Sequence, residues 1–341
     1  MNKLKYYKIK SVKDDKKINA VAKELKNGAI IAMPTETVYG LFVNALDKDA
    51  VNRLFQIKER NLQKALAYHL ASPEDIRSLV LEIPEYTEKL INKTMPGPIM
   101  LLFKKQKRVP DSVTGSSKKV GVRIPANEVT LEIIKRSGIP VAGSSANISG
   151  ELSPTRPEHV LASFAPPREQ IDALVDTDQE PIGVESTILD VSTATPRILR
   201  MGFVSAEQIH QLTGIRPVLS INSEKEAGFP EFKPEGRIIL VEGYTRTIIP
   251  KIKDLVDANK DKKVLLVLTD ESAQEFEDQK VIKMGTITSF EVIAKNIFSV
   301  LRTVETKTAD LIIIEGILPA NIGAVVMDKL RKVANEVVQA R

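Results

Sequence analysis

The sequence predicts two α/β domains, a larger N-terminal domain and a small, mainly parallel C-terminal domain, joined by a linker. Its 341 residues exceed the usual size of one domain. Short apolar runs alternate with amphipathic stretches, which is typical of strands separated by helices. Pro and Gly become frequent and this periodicity disappears after Gly214. We therefore predict domains at 1–215 and 237–341 and a linker at 216–236.

The elements of the first domain are predicted from apolar spacing and from terminating residues. Residues 18–25 have helical spacing, and the Asn-Gly pair at 27–28 ends that helix before an apolar strand at 29–33. The amphipathic stretch 50–60 predicts a second helix. Further strands are predicted at 65–70, 99–103, 120–124, 141–142 and 187–191.

The second domain has a simpler pattern of apolar strands and crossover helices. Strands are predicted at 237–243, 262–270 and 309–316, with a helix up to about Asn259 between the first two. Two more helices are predicted, one near 289–304 and one from about Gly323. Apolar strands spaced in this way form mainly parallel sheets with helices on their faces, as in Rossmann-like folds.

Composition excludes several classes of function. With no cysteine and three histidines, the chain offers no disulfides, no thiolate zinc site and few transition-metal ligands. It has no apolar run of about 18 residues, so we expect a cytoplasmic protein without a membrane contact. The net charge of +5 fits an ordinary Lys-rich surface and also leaves a weak contact with tRNA open.

The first group of candidate functional residues combines a hydroxyl with two cations. Thr35 follows the predicted strand 29–33, and Lys58 and Arg60 stand in the last turn of the predicted helix 50–60. Arg and Lys together suit phosphate oxygens and carboxylates. The alternative is a solvated helix end. The chain has neither a Walker loop nor GxGxxG, so a nucleotide site must be built differently.

The second candidate is Arg123, in the otherwise apolar run VGVRIPAN. An unpaired charge in such a strand costs several kcal/mol, so Arg123 requires an anion. That anion is either an Asp or Glu of this chain or the carboxylate of a substrate.

Small polar side chains form the remaining candidate clusters. The segment GSSANISG at 143–150, followed by SPT at 153–155, is predicted to be a turn that can direct N–H and O–H groups at phosphates. Most Ser/Asn/Gly loops are only turns, which is the alternative. The segment IGVESTILD at 182–190 places Glu185 and Ser186 before a strand, and ILRMG contains Arg200.

The candidate motifs, in chain order, are PTETVYGL, K-x-R, His69, VRIPA, SSANISG with SPT, GVEST and ILR. Their order and spacing resemble those of the YrdC-like domain of the threonylcarbamoyl-AMP synthase family. The resemblance covers about 15–215, and the second domain resembles the long form of the family more faintly, through 322–335. It implies a twisted-sheet YrdC-like α/β domain followed by a small Rossmann-like domain. The implied reaction joins L-threonine, bicarbonate and ATP, with Mg²⁺, into threonylcarbamoyl-AMP and pyrophosphate. A separate tRNA threonylcarbamoyl transferase uses the product.

The resemblance also implies roles for individual residues. Lys58 and Arg60 would be catalytic, and no metal site of the protein itself is expected. The L-threonine subsite would consist of Thr35, His69, Arg123, Gly143 and Ser186. The ATP subsite would consist of Lys58, Arg60, Lys64, Lys119, Ser145, Asn147, Ser153 and Arg200.

The chain departs from the family pattern at several positions. Lys64 replaces a frequent asparagine, and Lys119 replaces a common threonine, so the roles of both lysines are open. The family's tyrosine- and histidine-containing linker motif is missing. Here Phe229, Phe232 and Lys233 form either a lid over the nucleotide or part of a plain tether. The departures leave a second function open, that of a nucleotide- or RNA-binding protein without synthase activity.

Overall fold

The computed structural model describes residues 4–168, 171–220 and 234–340. Most of the predicted linker at 216–236 therefore lies outside the described residues, and so do Phe229, Phe232 and Lys233. The lid and the tether both remain predictions.

The chain divides into two structural units. The first unit comprises Met1–Pro181 and Glu185–Gly228, and the second comprises Ile182–Val184 and Phe229–Arg341. The fold class predicted for each half is confirmed: the first unit is mixed α/β, and the second is a parallel α/β sheet.

Eleven strands form one sheet in the described part of the first unit. They are β1 (Lys5–Lys8), β2 (Ile31–Met33), β3 (Gly40–Asn44), β4 (Ala67–His69), β5 (Ile99–Lys104), β6 (Lys119–Arg123), β7 (Val141–Ser145), β8 (Ala173–Asp176), β9 (Thr187–Asp190), β10 (Arg197–Arg200) and β11 (Val218–Leu219). Their order across the sheet is β1-β8-β2-β3-β7-β4-β6-β5-β9-β10-β11. The helices are α1 (Asp15–Lys26), α2 (Lys48–Ile57), α3 (Glu88–Thr94), α4 (Asp111–Thr114), α5 (Glu128–Ser137), α6 (Pro157–Ser163) and α7 (Ala206–Thr213).

The sheet of the first unit is covered on both faces, because neighbouring residues of its central strands enter different cores. In β3, Leu41 and Val43 belong to one buried cluster, whereas Phe42 belongs to another that includes residues of α1 and α5. Alternation of this kind follows from the two-residue period of a strand. The central strands are therefore held rigidly on both sides.

Helix ends follow the signals in the sequence. Asp14 caps α1 by accepting a hydrogen bond from the Lys17 N–H, and the helix ends at Asn27. Gly28 follows with a φ of +87°, a conformation that favours glycine. The predicted stop before β2 is confirmed.

The second unit contains a parallel sheet in the order β14-β13-β15-β12-β16. Its elements are β12 (Arg237–Gly243), α8 (Thr245–Asp257), β13 (Val264–Leu268), β14 (Lys280–Lys283), α9 (Phe290–Glu305), β15 (Leu311–Glu315), α10 (Ile322–Val333) and β16 (Glu336–Ala340). Apart from the short edge strands β14 and β16, these strands and helices correspond to those predicted.

Two predictions about the first unit are wrong in detail. Helix α2 ends at Ile57, so Lys58 is its C-cap and Arg60 lies beyond it, after Glu59 with a φ of +49°. The strand predicted at 141–142 continues to Ser145, so the first residues of the predicted turn 143–150 are strand. Within the described residues, no helix combines the length and apolarity needed to span a membrane.

Candidate active site

Backbone hydrogen bonds join the polar segments that the sequence singles out. The Tyr39 N–H donates to the Pro154 carbonyl, and the Ala146 N–H donates to the Tyr39 carbonyl, each at 2.8 Å. The Ser149 N–H donates to the carbonyl of Lys58 at 2.8 Å. The PTETVYG, K-x-R, SSAN and SPT segments therefore lie next to one another.

Arg123 is buried at the end of β6 and binds the loop that follows β2. Its Nη2 donates to Glu36 Oε1 at 2.7 Å, to Thr37 Oγ1 at 2.7 Å and to Thr35 Oγ1 at 3.3 Å. The structure thus identifies an anion for Arg123 within the chain, the first of the two alternatives. Since Nε is buried and has no hydrogen-bond partner, the guanidinium is not fully satisfied by these contacts.

Strand pairing places His69 beside Arg123 and Gly143 on the other side of β4. His69 is opposite Arg123 in β4 and β6, and Gly143 is opposite Ala67 in β4 and β7. The Phe42 ring packs edge-on against the His69 imidazole, with centroids 4.8 Å apart. A Cβ on Gly143 would lie 2.6 Å from the Leu41 carbonyl oxygen, so only glycine fits there.

Lys58 is 1% exposed, which excludes a solvated helix end as its environment. Its Nζ donates to the carbonyl oxygens of Ser145 and Asn147, at the end of β7. Asn147 uses its Nδ2 to bond the Ile148 and Glu151 carbonyls, at 2.7 and 2.8 Å, while its Oδ1 is buried and without a partner. Lys58 therefore contacts two other predicted ATP residues, Ser145 and Asn147, directly.

Arg60 and Arg200 are the other two cations of the set, and both are half-buried. Arg60 Nη2 donates to the Ala65 carbonyl at 2.8 Å, and its Nε is buried without a partner. Arg200 donates to the Ser186 carbonyl, at 2.9 Å from Nη2, and to Ser186 Oγ at 3.1 Å. Ser153 Oγ donates to Glu185 Oε1 at 3.1 Å.

Burial lowers the pKa of all three cations. The pKa of Lys58 lies well below its ordinary value, because burial removes its solvation and Arg60 repels its charge. Burial lowers the pKa of Arg60 to about 10, and it also lowers the pKa of Arg200. Among the described residues the charges of Lys58 and Arg60 repel each other, so an anion bound beside them would be stabilised.

Lys119 and Lys64 are placed differently from the other predicted ATP residues. Lys119 Nζ lies 2.5 Å from Asp190 Oδ2, and its side chain is 38% exposed. Lys64 is exposed, in a turn where its N–H donates to the Asn61 carbonyl. In the part of the chain that the structure describes, Lys64 forms no hydrogen bond or ion pair with Lys58, Arg60 or Arg200.

We expect Lys119→Ala to change ATP affinity by less than about threefold, because the Lys119 ammonium is already paired with the buried Asp190 carboxylate. Asp190 keeps hydrogen bonds from the Ser192 N–H and Oγ, at 3.0 and 2.6 Å, after the substitution. Calorimetric titration with ATP measures the change, and Lys104→Ala, which breaks an exposed pair with Glu82, is the matched control. A tenfold weaker affinity in Lys119→Ala alone would mean that Lys119 leaves Asp190 to bind phosphate.

The pH dependence of stability tests the environment of His69. Burial first, and then the charge of Arg123, lower its pKa from 6.5 to about 3. The unfolded chain therefore binds a proton that the folded chain excludes, and stability is lost as pH falls below about 6.5. Between pH 7 and pH 5 the wild type should lose about 2 kcal/mol more than His69→Gln in urea unfolding. Parallel pH profiles for the two proteins would contradict this.

Sequence reasoning did not single out Glu36 and Asp190 as partners of Arg123 and Lys119. Glu36 stands within PTETVYG, and Asp190 ends the strand 187–190, so both are visible in the sequence. The pairing itself depends on tertiary contacts between distant segments, which local spacing does not reveal.

The chain is similar to known proteins both in sequence and in structure. The Sua5/YciO/YrdC family, described as telomere recombination, matches residues 23–202, and the family described as threonylcarbamoyl-AMP synthase, C-terminal domain, matches 228–335. The threonylcarbamoyl-AMP synthase of Pyrococcus abyssi is 36% identical over 326 residues, covering 93% of either chain. That of Bacillus subtilis is 30% identical and covers 94% of either chain. The crystal structure of P. abyssi Sua5 complexed with L-threonine aligns with a TM-score of 0.87 at 34% identity, over 100% of both chains.

Proposed function

Since this chain belongs to the threonylcarbamoyl-AMP synthase family, we propose that it condenses L-threonine, bicarbonate and ATP to threonylcarbamoyl-AMP and pyrophosphate. In this proposal it is a nucleotidyltransferase, because it moves the adenylyl group of ATP onto a carbamate. Both relatives are named as synthases, and the chain aligns with 93% and 94% of their lengths, which supports an enzyme rather than a binding protein.

One observation in the structure supports ATP as a substrate above all others. Lys58 is buried and Arg60 and Arg200 are half-buried, and within the described residues their hydrogen bonds go to carbonyl and hydroxyl oxygens rather than to carboxylates. Buried unpaired charge is costly, and a polyphosphate would relieve that cost at all three residues. The unpartnered Asn147 Oδ1 and Arg60 Nε offer further contacts to the same ligand.

A second group of residues suits an amino acid. Arg123 is neutralised by Glu36 and lies beside the neutral imidazole of His69. A zwitterion such as L-threonine has no net charge and fits an environment of this kind better than a phosphate does. Thr35, Gly143 and Ser186 complete the proposed subsite, where a carboxylate would contact Arg123.

In the proposed reaction bicarbonate takes up a proton and loses water to give CO₂, the threonine nitrogen attacks the CO₂ carbon, and the amine proton leaves as the carbamate forms. A carbamate oxygen then attacks the α-phosphorus of ATP, and the bond to the β-phosphate oxygen breaks to release pyrophosphate. Lys58, Arg60 and Arg200 would neutralise charge on the phosphates, and Ser145, Asn147 and Ser153 would orient them. The chain supplies positioning and charge, and no covalent nucleophile is required.

Mg²⁺ and the downstream partner belong to the proposal only indirectly. Within the described residues there is no cluster of three or more His, Asp or Glu that could hold a metal ion. We propose that Mg²⁺ arrives with ATP, whose phosphates supply the oxygen ligands it prefers. We propose that the product passes to a tRNA threonylcarbamoyl transferase.

Pyrophosphate release tests the function. The full chain is incubated with ATP and bicarbonate, with and without L-threonine, and the adenylate product is identified by mass spectrometry. We expect pyrophosphate only when threonine is present. ATP binding without threonine-dependent release would favour the second function, a nucleotide-binding protein that lacks the synthase reaction.

A further inference from the structure

The loop after β2 binds Arg123 through a single nitrogen. Glu36, Thr37 and Thr35 all accept from Nη2, while Nε has no partner within the described residues. Arg123 carries five N–H donors, so these contacts use only one end of the planar guanidinium. The loop therefore holds the side chain and leaves other N–H groups of the guanidinium available to bind a carboxylate.

Glu36 does more than balance the charge of Arg123. Its side chain is 5% exposed, and its two oxygens bind two different groups. Oε1 accepts from Arg123 Nη2 at 2.7 Å, and Oε2 accepts from the Ala126 N–H at 2.8 Å. The carboxylate thus links the tip of the Arg123 side chain to the backbone just beyond the strand that carries it, which fixes the direction of the guanidinium.

We propose that Glu36 is a positioning residue that holds Arg123 in the orientation required to bind the carboxylate of the amino-acid substrate. Arginine has many rotamers, and ordering it in advance removes a cost that the substrate would otherwise meet on binding. The inference rests on the proposed function, because it takes an amino acid as the ligand of Arg123.

The test compares L-threonine with L-threoninol, in which an alcohol replaces the carboxylate, by calorimetry on the full chain. In Glu36→Gln we expect L-threonine affinity to fall about tenfold, because Arg123 loses the contact that orders it before the substrate binds. Threoninol and ATP affinities should change little. Thr130→Val is the matched control: Thr130 Oγ1 donates to the Pro34 carbonyl at 2.6 Å, in the same loop, without a contact to Arg123.

A double-mutant cycle separates positioning from general support of the fold. If Glu36 acts through Arg123, Glu36→Gln should cost no further threonine affinity once Arg123 is Met. Additive losses, an equal loss for threoninol, or tighter threonine binding in Glu36→Gln would each overturn the proposal. Should Glu36→Gln fail to fold, Thr37→Val removes the other 2.7 Å contact and is expected to weaken threonine binding in the same selective way.

Wild-type protein that does not bind L-threonine would instead reject the proposed function. A failure of the function and a failure of the inference about Glu36 are therefore distinguishable, since the first is read from the wild type and the second from the variants.

Discussion

Replacing Lys58 with Met is expected to lower kcat for threonylcarbamoyl-AMP formation by about 10²–10³, the usual effect of removing one preorganised electrostatic contact. The charge of Lys58 is buried, and its Nζ lies at the carbonyls of Ser145 and Asn147. Methionine has a similar length and no charge, so the packing changes less than with alanine. Threonine affinity should change little, because the threonine contacts are assigned to other side chains. Pyrophosphate release and calorimetry measure the two effects separately.

Proton uptake gives an independent measurement for Lys58. Because burial holds the pKa of Lys58 well below its ordinary value, the amine loses its proton at a lower pH than an exposed lysine does. A bound polyphosphate would raise that pKa, so ATP binding at alkaline pH should take up a proton, and Lys58→Met should abolish this. Calorimetry in buffers of different ionisation enthalpy detects it. Unchanged turnover and unchanged proton uptake in Lys58→Met would show that Lys58 does not act in the nucleotide site.

The second large effect is expected for Arg123→Met. We expect threonine affinity to fall about tenfold to a hundredfold, which corresponds to ~1.5–3 kcal/mol for a charge-assisted contact, while ATP affinity changes little. The substitution also leaves the buried Glu36 carboxylate without its cation, which should destabilise the protein by about 3–5 kcal/mol.

The double variant Arg123→Met with Glu36→Gln separates these two consequences. It removes both charges, so most of the stability should return in urea unfolding, whereas threonine affinity should stay as low as in Arg123→Met. A folded Arg123→Met protein that binds threonine as the wild type does would show that Arg123 serves only as the structural partner of Glu36.

Local signals in the sequence predict the elements of the second unit better than those of the first, where strands β1, β3, β8, β10 and β11 were not predicted. Apolar runs and the Asn-Gly stop at 27–28 identify α1 and β2, and the strands of the second unit follow from their apolar composition. The boundaries near functional residues are predicted less well. Helix α2 ends early, where Glu59 adopts a positive φ, and β7 extends through Gly143 because its backbone packs between β3 and β4.

Contacts between candidate residues could not be predicted from spacing. Arg123 and Glu36 are far apart in sequence, and β2 and β6 are not neighbours in the sheet, so the two residues meet because the loop after β2 reaches the end of β6. Spacing does show that Arg123 requires an anion, because a lone charge in an apolar strand is costly. Spacing alone cannot show which anion pairs with Arg123, because the partner depends on which loop lies against the end of β6.

The backbone hydrogen bonds that connect Tyr39 with Pro154 and Ala146, and Lys58 with Ser149, have a consequence for folding kinetics. Each joins segments on the order of a hundred residues apart, a separation that raises contact order and slows the search for native contacts. A chain emerging from the ribosome can form α1 and β2 long before Pro154 is synthesised, but it cannot form these contacts. Pulse-labelling hydrogen exchange should therefore find the Tyr39, Ala146 and Ser149 amides protected later than those of α1.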